Sequence, residues 1–220
     1  MFFPKLIKSI RPSDRVLEIG PGGTPHPRSD VFLEYEFESA VVAESQRGYQ
    51  KTLKTQKPVV YYKGDIFPFK DKEFDYIICS HVAEHVENLD QFIKEMTRVG
   101  KAGYIEYPTI YYDYMYNIEE HLTFIKYKNS TLHWMSKNKT HLAEFKVVQT
   151  LLHESLNQKH YVLVNALQSY FFEGFEWFDH IKTAQTSCLE DLVFDTFEIP
   201  IYKTPISERV INKIKQLLSI

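Results

Sequence analysis

Residues Val16 to Gly23, reading Val-Leu-Glu-Ile-Gly-Pro-Gly-Gly, constrain the fold more than any other stretch of this chain. Val16, Leu17 and Ile19 make a short apolar strand around Glu18, and the strand runs straight into glycine. Gly20, Gly22 and Gly23 reach backbone angles closed to other residues and let a ligand approach the main chain. A strand ending in such a turn near the start of a chain is how open α/β sheets build a nucleotide pocket. A dinucleotide fingerprint needs a third glycine three residues after Gly22, and that position is Pro25. Pro25 and Pro27 push Thr24 and His26 towards extended conformations, so no helix N-terminus stands ready for a pyrophosphate. The loop speaks against NAD and for a nucleoside without phosphates.

Continuous apolar runs suit parallel strands buried on both faces. The sequence predicts five, at Val16–Ile19, Val31–Glu34, Val59–Tyr62, Tyr76–Cys79 and Tyr104–Tyr107. The clearest helix is Leu89–Val99. Asn88 caps it, Gln91 sits at the capping-box position, and Leu89, Phe92, Ile93 and Met96 share one face. Gly100 is its expected stop. Only about ten residues separate Gly20 from the second strand, whereas a parallel crossover takes about a dozen, usually with a helix. The first helix must therefore shrink to a turn or give way to a loop.

Three segments in register resemble successive motifs of the class I S-adenosylmethionine-dependent methyltransferases. They are Val16–Gly23, then Gly64-Asp65-Ile66-Phe67-Pro68-Phe69, then Phe74 through Ser80-His81-Val82-Ala83-Glu84-His85. The resemblance covers about residues 12–108. It implies an α/β fold, a Rossmann-like doubly wound and mostly parallel sheet with an inserted or appended aromatic-rich segment. It also implies S-adenosyl-L-methionine as cofactor and in-line methyl transfer to a small-molecule acceptor, with a glycosyl acceptor favoured. Residues 1–220 read as a single methyltransferase domain. Its cofactor-binding core spans about 12–108; an acceptor-side insertion, the last strands and a C-terminal helix fill about 109–220.

The resemblance implies site roles. Glu34, at the end of the second strand, accepts from the ribose hydroxyls, with Glu36 as runner-up. Asp65 accepts from the adenine amino group, with Ile66 and Phe67 against the ring. Gly20 and Gly22 form the turn. Glu18, acidic between Leu17 and Ile19, needs a polar partner when buried and is expected to order the loop or the ligand's amino group. Ser80 and His81 sit on the rim after the fourth strand, and His81 is the expected base for an acceptor hydroxyl.

His81, Glu84 and His85 also spell the His-x-x-Glu-His pattern of inverted zinc proteases. That pattern needs a long helix and a third ligand, and neither is evident in the sequence, so no metal is expected. Two alternatives remain beside methyl transfer: a non-catalytic S-adenosylmethionine-binding protein, and a zinc hydrolase using His81, Glu84 and His85.

Tyr104, Tyr107, Tyr111, Tyr112, Tyr114 and Tyr116 crowd residues 104–116, in and after the fifth strand, where with Trp134 and Trp177 they offer flat faces to an acceptor. Lys126, Lys128, Lys137, Lys139 and Lys146 give this half a mild basic bias. A hairpin is predicted over His121–Tyr127 and Leu132–Ser136, with strand-like runs at Phe145–Leu152 and Tyr161–Ala166. A last helix, from about Glu208 to Leu218, suits packing on the domain or against a second subunit, which leaves a homo-oligomer open. With a net charge of −3, no basic field invites nucleic acid. No apolar run approaches the ~20 residues of a membrane span. Two cysteines without framework spacing fit a cytoplasmic protein.

Overall fold

The computed structural model describes residues 1–39, 42–43 and 53–199. Its centre is a six-stranded sheet built from β1 (Val16–Ile19), β2 (Val31–Tyr35), β3 (Val59–Tyr62), β4 (Phe74–Ser80), β5 (Gly100–Pro108) and β8 (Phe172–Phe178). The strand order is β3-β2-β1-β4-β5-β8, parallel throughout except for β8, which runs antiparallel to β5. The chain winds outward from β1 to β3, returns, and continues on the other side with β4. Order therefore reverses between β1 and β4, the point at which open α/β sheets bind ligands beyond their strand ends. This is the Rossmann-like fold the sequence implies.

Side chains alternate across the sheet. Leu17, Ile19, Ile77 and Cys79 face α1 (Leu89–Val99), which returns Leu89, Phe92, Ile93, Met96 and Val99 into the same core. Each fully buried residue of this kind stabilises the fold by about 1.5–3 kcal/mol. Val16, Tyr76, Ile78 and Tyr104 face the opposite way and pack against Ile7 and Ile10 of the N-terminal segment. Asn88 caps α1 as expected, its side chain accepting from the Gln91 amide at 3.1 Å. Gly100 ends the helix for a different reason than expected. Its φ of −109° is ordinary extended backbone, but a Cβ there would lie 2.3 Å from Ile77 Cγ1. The helix turns directly into β5 because nothing larger fits against Ile77.

No helix joins β1 to β2. Asp30 closes the crossover by accepting from the Val16 amide at 2.9 Å, while its own amide donates to Val16 O. Beyond β5, α2 (Ile110–Tyr116) leads into a second sheet of β6 (Thr123–Lys128), β7 (Thr131–Ser136) and β9 (Thr183–Gln185). The predicted hairpin forms, with Asn129 and Ser130 both at positive φ, the conformation of a tight two-residue turn.

The strand-like runs at 145–152 and 161–166 are helical instead, as α3 (Lys146–Asn157) and α4 (Val162–Ala166), followed by α5 (Gln168–Phe171). The β-branched residues that suggested strands, Val147, Val148 and Val162, are exposed. Packing is carried by Gln149, Leu152 and Leu156, spaced for one helical face. The expected last helix lies outside the described residues.

Glu95, on α1, anchors the loop after β3. Its carboxylate accepts from the Phe67 amide at 2.8 Å and from Arg98 at 2.7 Å, and Arg98 also donates to the Phe67 and Phe69 carbonyls. The Arg98 hydrogen bonds hold the Glu95 carboxyl below its usual 4.5. A depressed acid contributes stability that is complete above its unfolded pKa and lost as pH falls through the folded one. Between about pH 6 and about pH 3, wild type should therefore lose more stability than Glu95→Gln, read from urea midpoints at both values. Equal losses would remove this role.

Candidate functional site

The carboxyl ends of β1, β2, β3 and β4 open onto a cleft of about 2060 Å³. Its walls bring together Gly20, Gly22, Glu34, Asp65 and His81. Gly20 and Gly22 are both left-handed, with φ of +58° and +56°. Gly20 lies so close to Val82 that a Cβ would sit 2.6 Å from Val82 Cγ2. This contact sets the residue after His81 against the glycine turn. Glu34 is 5% exposed although it lines the cleft, whereas Glu36 is exposed and lies outside the wall. Asp65 lies at the cleft's edge beyond β3. Tyr35, Tyr62, Phe67 and Phe92 continue the wall beside it, in successive edge-to-face contacts of 5.3, 5.0 and 5.6 Å. Two carboxylates beside an aromatic strip and an open glycine turn match the acceptor and stacking needs of an adenosine ligand. The residues present fit the cofactor.

Three expected residues stand back from that wall. Ile66 is 68% exposed and turned to the surface, and Phe67 rather than Ile66 faces the cleft. Ser80 donates to Glu106 at 3.0 Å. Glu18 lies beneath the loop, where it accepts from the His26 amide at 2.9 Å and the Ser29 hydroxyl at 2.6 Å. Burial pushes its carboxyl up, and these two bonds partly offset that. Glu18 thus does for the helix-free loop what a helix's own hydrogen bonds would otherwise do.

His81 also has a left-handed backbone, φ +57°, uncommon for a residue with a side chain. Its amide donates to the Glu106 carbonyl at 2.9 Å, and its ring lies 3.0 Å from Glu106 Oε1 and 3.3 Å from Glu84 Oε1. Burial disfavours the imidazolium, but the two carboxylates outweigh it and raise His81 to about 9. A free-base imidazole ready to take an acceptor proton is not what this geometry holds at neutral pH. Glu106 was missed in the sequence, although Tyr-Ile-Glu-Tyr carries the same signal as Glu18, an acid inside an apolar strand. It also accepts from the Phe2 and Phe3 amides and from the Tyr104 hydroxyl, at 2.7, 2.9 and 2.7 Å.

The far wall carries Tyr112, Ile118, Glu119, Glu120, His121 and His153. Of the tyrosine cluster, Tyr112 reaches this wall, while Tyr104, Tyr107 and Tyr116 are buried packing. Trp134 and Trp177 lie in the core with α1 and do not join the cleft. Of the lysines, Lys126 pairs with Glu173 and lies over the Phe194 ring, Lys128 pairs with Asp195, and Lys137 donates to the Ile118 carbonyl beside the wall. Glu87, Glu119, Glu120 and Glu154 against Lys159 leave the described wall acidic.

Residues 31–105 match the family model described as a methyltransferase domain. Two uncharacterised proteins of Methanocaldococcus jannaschii are similar in sequence. One is 35% identical over 100 residues, 44% of this chain and 44% of its own length; the other is 34% identical over 97 residues, 43% and 36%. The matched part spans less than half of these curated relatives. A putative methyltransferase from Bacillus halodurans is structurally similar, with TM-score 0.37 and 19% identity over 53% of this chain and 58% of its own.

Glu18→Ala should lower stability by about 1–3 kcal/mol, because the buried Ser29 hydroxyl and His26 amide lose their acceptor. Glu18→Gln, which keeps a carbonyl oxygen, should lose less. Chemical denaturation of the three proteins reads this, and an unchanged Glu18→Ala midpoint would show that the loop holds without it.

Proposed function

We propose that this chain, of which residues 31–105 match a methyltransferase-domain model, is a class I S-adenosylmethionine-dependent methyltransferase that moves a methyl group to a small-molecule acceptor held at the far wall of the cleft. The reading rests above all on Glu34, a nearly buried carboxylate that lines the same cleft as the left-handed glycine turn. Bound S-adenosylmethionine supplies a methyl group on a sulfonium already primed to leave. The chain's residues then bind and align. Glu34 accepts from the ribose diol and Asp65 from the adenine amino group, Tyr62 and Phe67 flank the ring, and Gly20 and Gly22 admit the ligand to the main chain. Glu18 acts through the loop it holds. His81, which lines the cleft with its ring against Glu106, is placed to touch the acceptor rather than the adenosine.

Alignment is the main contribution such a site makes, since near-attack geometry replaces a chance encounter. The acidic far wall favours an uncharged or cationic acceptor over an anionic one. A neutral sugar fits it, with Tyr112 as a flat face; a nucleotide sugar fits it poorly. The free Cys79 and Cys188 agree with a cytoplasmic setting.

Calorimetry should find binding of S-adenosylhomocysteine and none of NAD, and the protein should pass labelled methyl groups from S-adenosylmethionine to a panel of neutral sugars and amines. Glu34→Ala and Asp65→Ala should each weaken nucleoside binding about tenfold or more, the loss of a charge-assisted hydrogen bond worth ~1.5–3 kcal/mol. Glu36→Ala should change it little. Loss of binding in Glu36→Ala with none in Glu34→Ala would move the ribose contact two residues along. Binding of NAD alone would overturn the family-based reading of the cleft.

A further inference from the structure

Beside the nucleoside half of the cleft, three side chains converge from two distant segments. Glu84 and His85 belong to a single 3-10 turn, Ala83–His85, just beyond β4, and His121 lies immediately before β6. The fold clamps the segments together: the Leu122 amide donates to the Glu84 carbonyl at 2.7 Å, and the Thr123 hydroxyl to the Val86 carbonyl at 2.7 Å. One ligand atom from each of Glu84, His85 and His121 lies within 4.8 Å of the other two.

The two imidazoles are oriented alike. His85 Nδ1 lies 3.1 Å from the Glu120 carbonyl, and His121 Nδ1 lies 2.8 Å from the Asp113 carboxylate. An acceptor at Nδ1 fixes the proton there and leaves the Nε2 lone pair free, which is how proteins orient metal-binding histidines. Both Nε2 atoms lie near Glu84 Oε1, at 4.0 Å for His85 and 3.9 Å for His121. These are not hydrogen bonds. They are about half an ångström wider than the roughly 3.4 Å edge of a tetrahedron with ~2.0–2.1 Å bonds, a gap that side-chain rotations would have to close on binding.

Glu84 supplies the independent observation. It is 0% exposed, and among the described residues neither of its oxygens has a hydrogen-bond partner. His81 Nδ1, at 3.3 Å, is too long for a charge-assisted hydrogen bond of ~2.7–2.9 Å. The His81 imidazolium offers it charge at that distance but no bond, and a buried carboxylate is costly while its oxygens stay unbonded. Two free imidazole nitrogens aimed at the same oxygen complete a donor set, not a hydrogen-bond network.

We propose that Glu84, His85 and His121 bind a divalent transition-metal ion of the zinc type, with Asp113 and the Glu120 carbonyl as the groups that orient the histidines. Two imidazoles and one carboxylate suit such ions, and three protein ligands leave a coordination position open. His85 lines the cleft, so that position opens towards the acceptor side. The ligand set differs from the one that the spacing of His81, Glu84 and His85 suggests, because His81 turns to Glu106 and His121 takes its place. The site stands independently of the methyl-transfer reading.

The full-length protein, stripped with a chelator and titrated with Zn²⁺, should bind one equivalent per chain, raise its Tm, and give a tetrahedral-type visible spectrum with Co²⁺. His85→Ala and His121→Ala should each abolish the spectrum and weaken Zn²⁺ binding at least a hundredfold, and His180→Ala should change neither. Asp113→Asn, which retains all three ligands, should weaken binding about 10–100-fold. It keeps the test decisive if a histidine variant misfolds by circular dichroism. Failure of the wild-type protein to bind Zn²⁺ at micromolar concentrations would overturn the proposal, as would undiminished binding by folded His85→Ala or by Asp113→Asn.

Discussion

Buried negative charge organises the binding end of this sheet. Glu18 on β1, Glu34 on β2, Glu106 on β5 and Glu84 just beyond β4 are each at most 5% exposed. A carboxylate out of water costs several kcal/mol unless donors or cations replace its hydration. Each of these is answered differently, and the answers shape the cleft. Glu106 gathers the N-terminal amides, Ser80, Tyr104 and His81, and so fixes the rim where β4 and β5 end. Glu34 faces the ligand space itself. Glu84 is surrounded by imidazoles that approach without bonding it.

Glu18 answers a topological problem. A crossover too short for a full helix cannot satisfy its backbone within a helix, so polar groups must come from elsewhere. One buried carboxylate ties residues 26 and 29 back to β1, and Asp30 closes the far end on Val16. The glycine turn is thereby held open and free of a helix start, which suits an uncharged nucleoside better than a diphosphate. The ligand preference read from Pro25 and Pro27 and the buried carboxylate are two sides of one structural choice.

The sheet was legible in the sequence because strands buried on both faces must be continuously apolar, and β1, buried throughout, begins and ends where that pattern does; β3 keeps its expected bounds as a half-buried edge strand. The helix Leu89–Val99 was equally plain, since cap, periodicity and stop coincide. Past Ile110 the signals conflict. Val147 and Val148 suggest a strand by composition, yet α3 packs through Gln149, Leu152 and Leu156, and its valines face solvent. Of the cleft wall, the places of Glu34 and Gly20 were readable because strand ends and glycine turns are local features. Glu106 carried the signal that exposed Glu18 and went unread. Ile66 was misplaced because its side-chain direction depends on a loop anchored by Glu95 and Arg98, more than twenty residues downstream.

The His-x-x-Glu-His pattern shows why spacing alone does not say which side chains meet. Residues four apart meet only on a helix. Here β4 ends at Ser80, His81 takes a left-handed conformation, and a single 3-10 turn carries Glu84 and His85. The left-handed residue sends the first imidazole towards Glu106 and leaves the other two residues of the pattern together. Their third companion, His121, is thirty-six positions after His85 and arrives through the pairing of the 121–123 segment with the 84–86 turn. No local periodicity encodes that contact. Among the described residues neither oxygen of the buried Glu84 has a hydrogen-bond partner, although three imidazoles stand within 4.0 Å of it, and that is a product of the long-range pairing rather than of the local sequence.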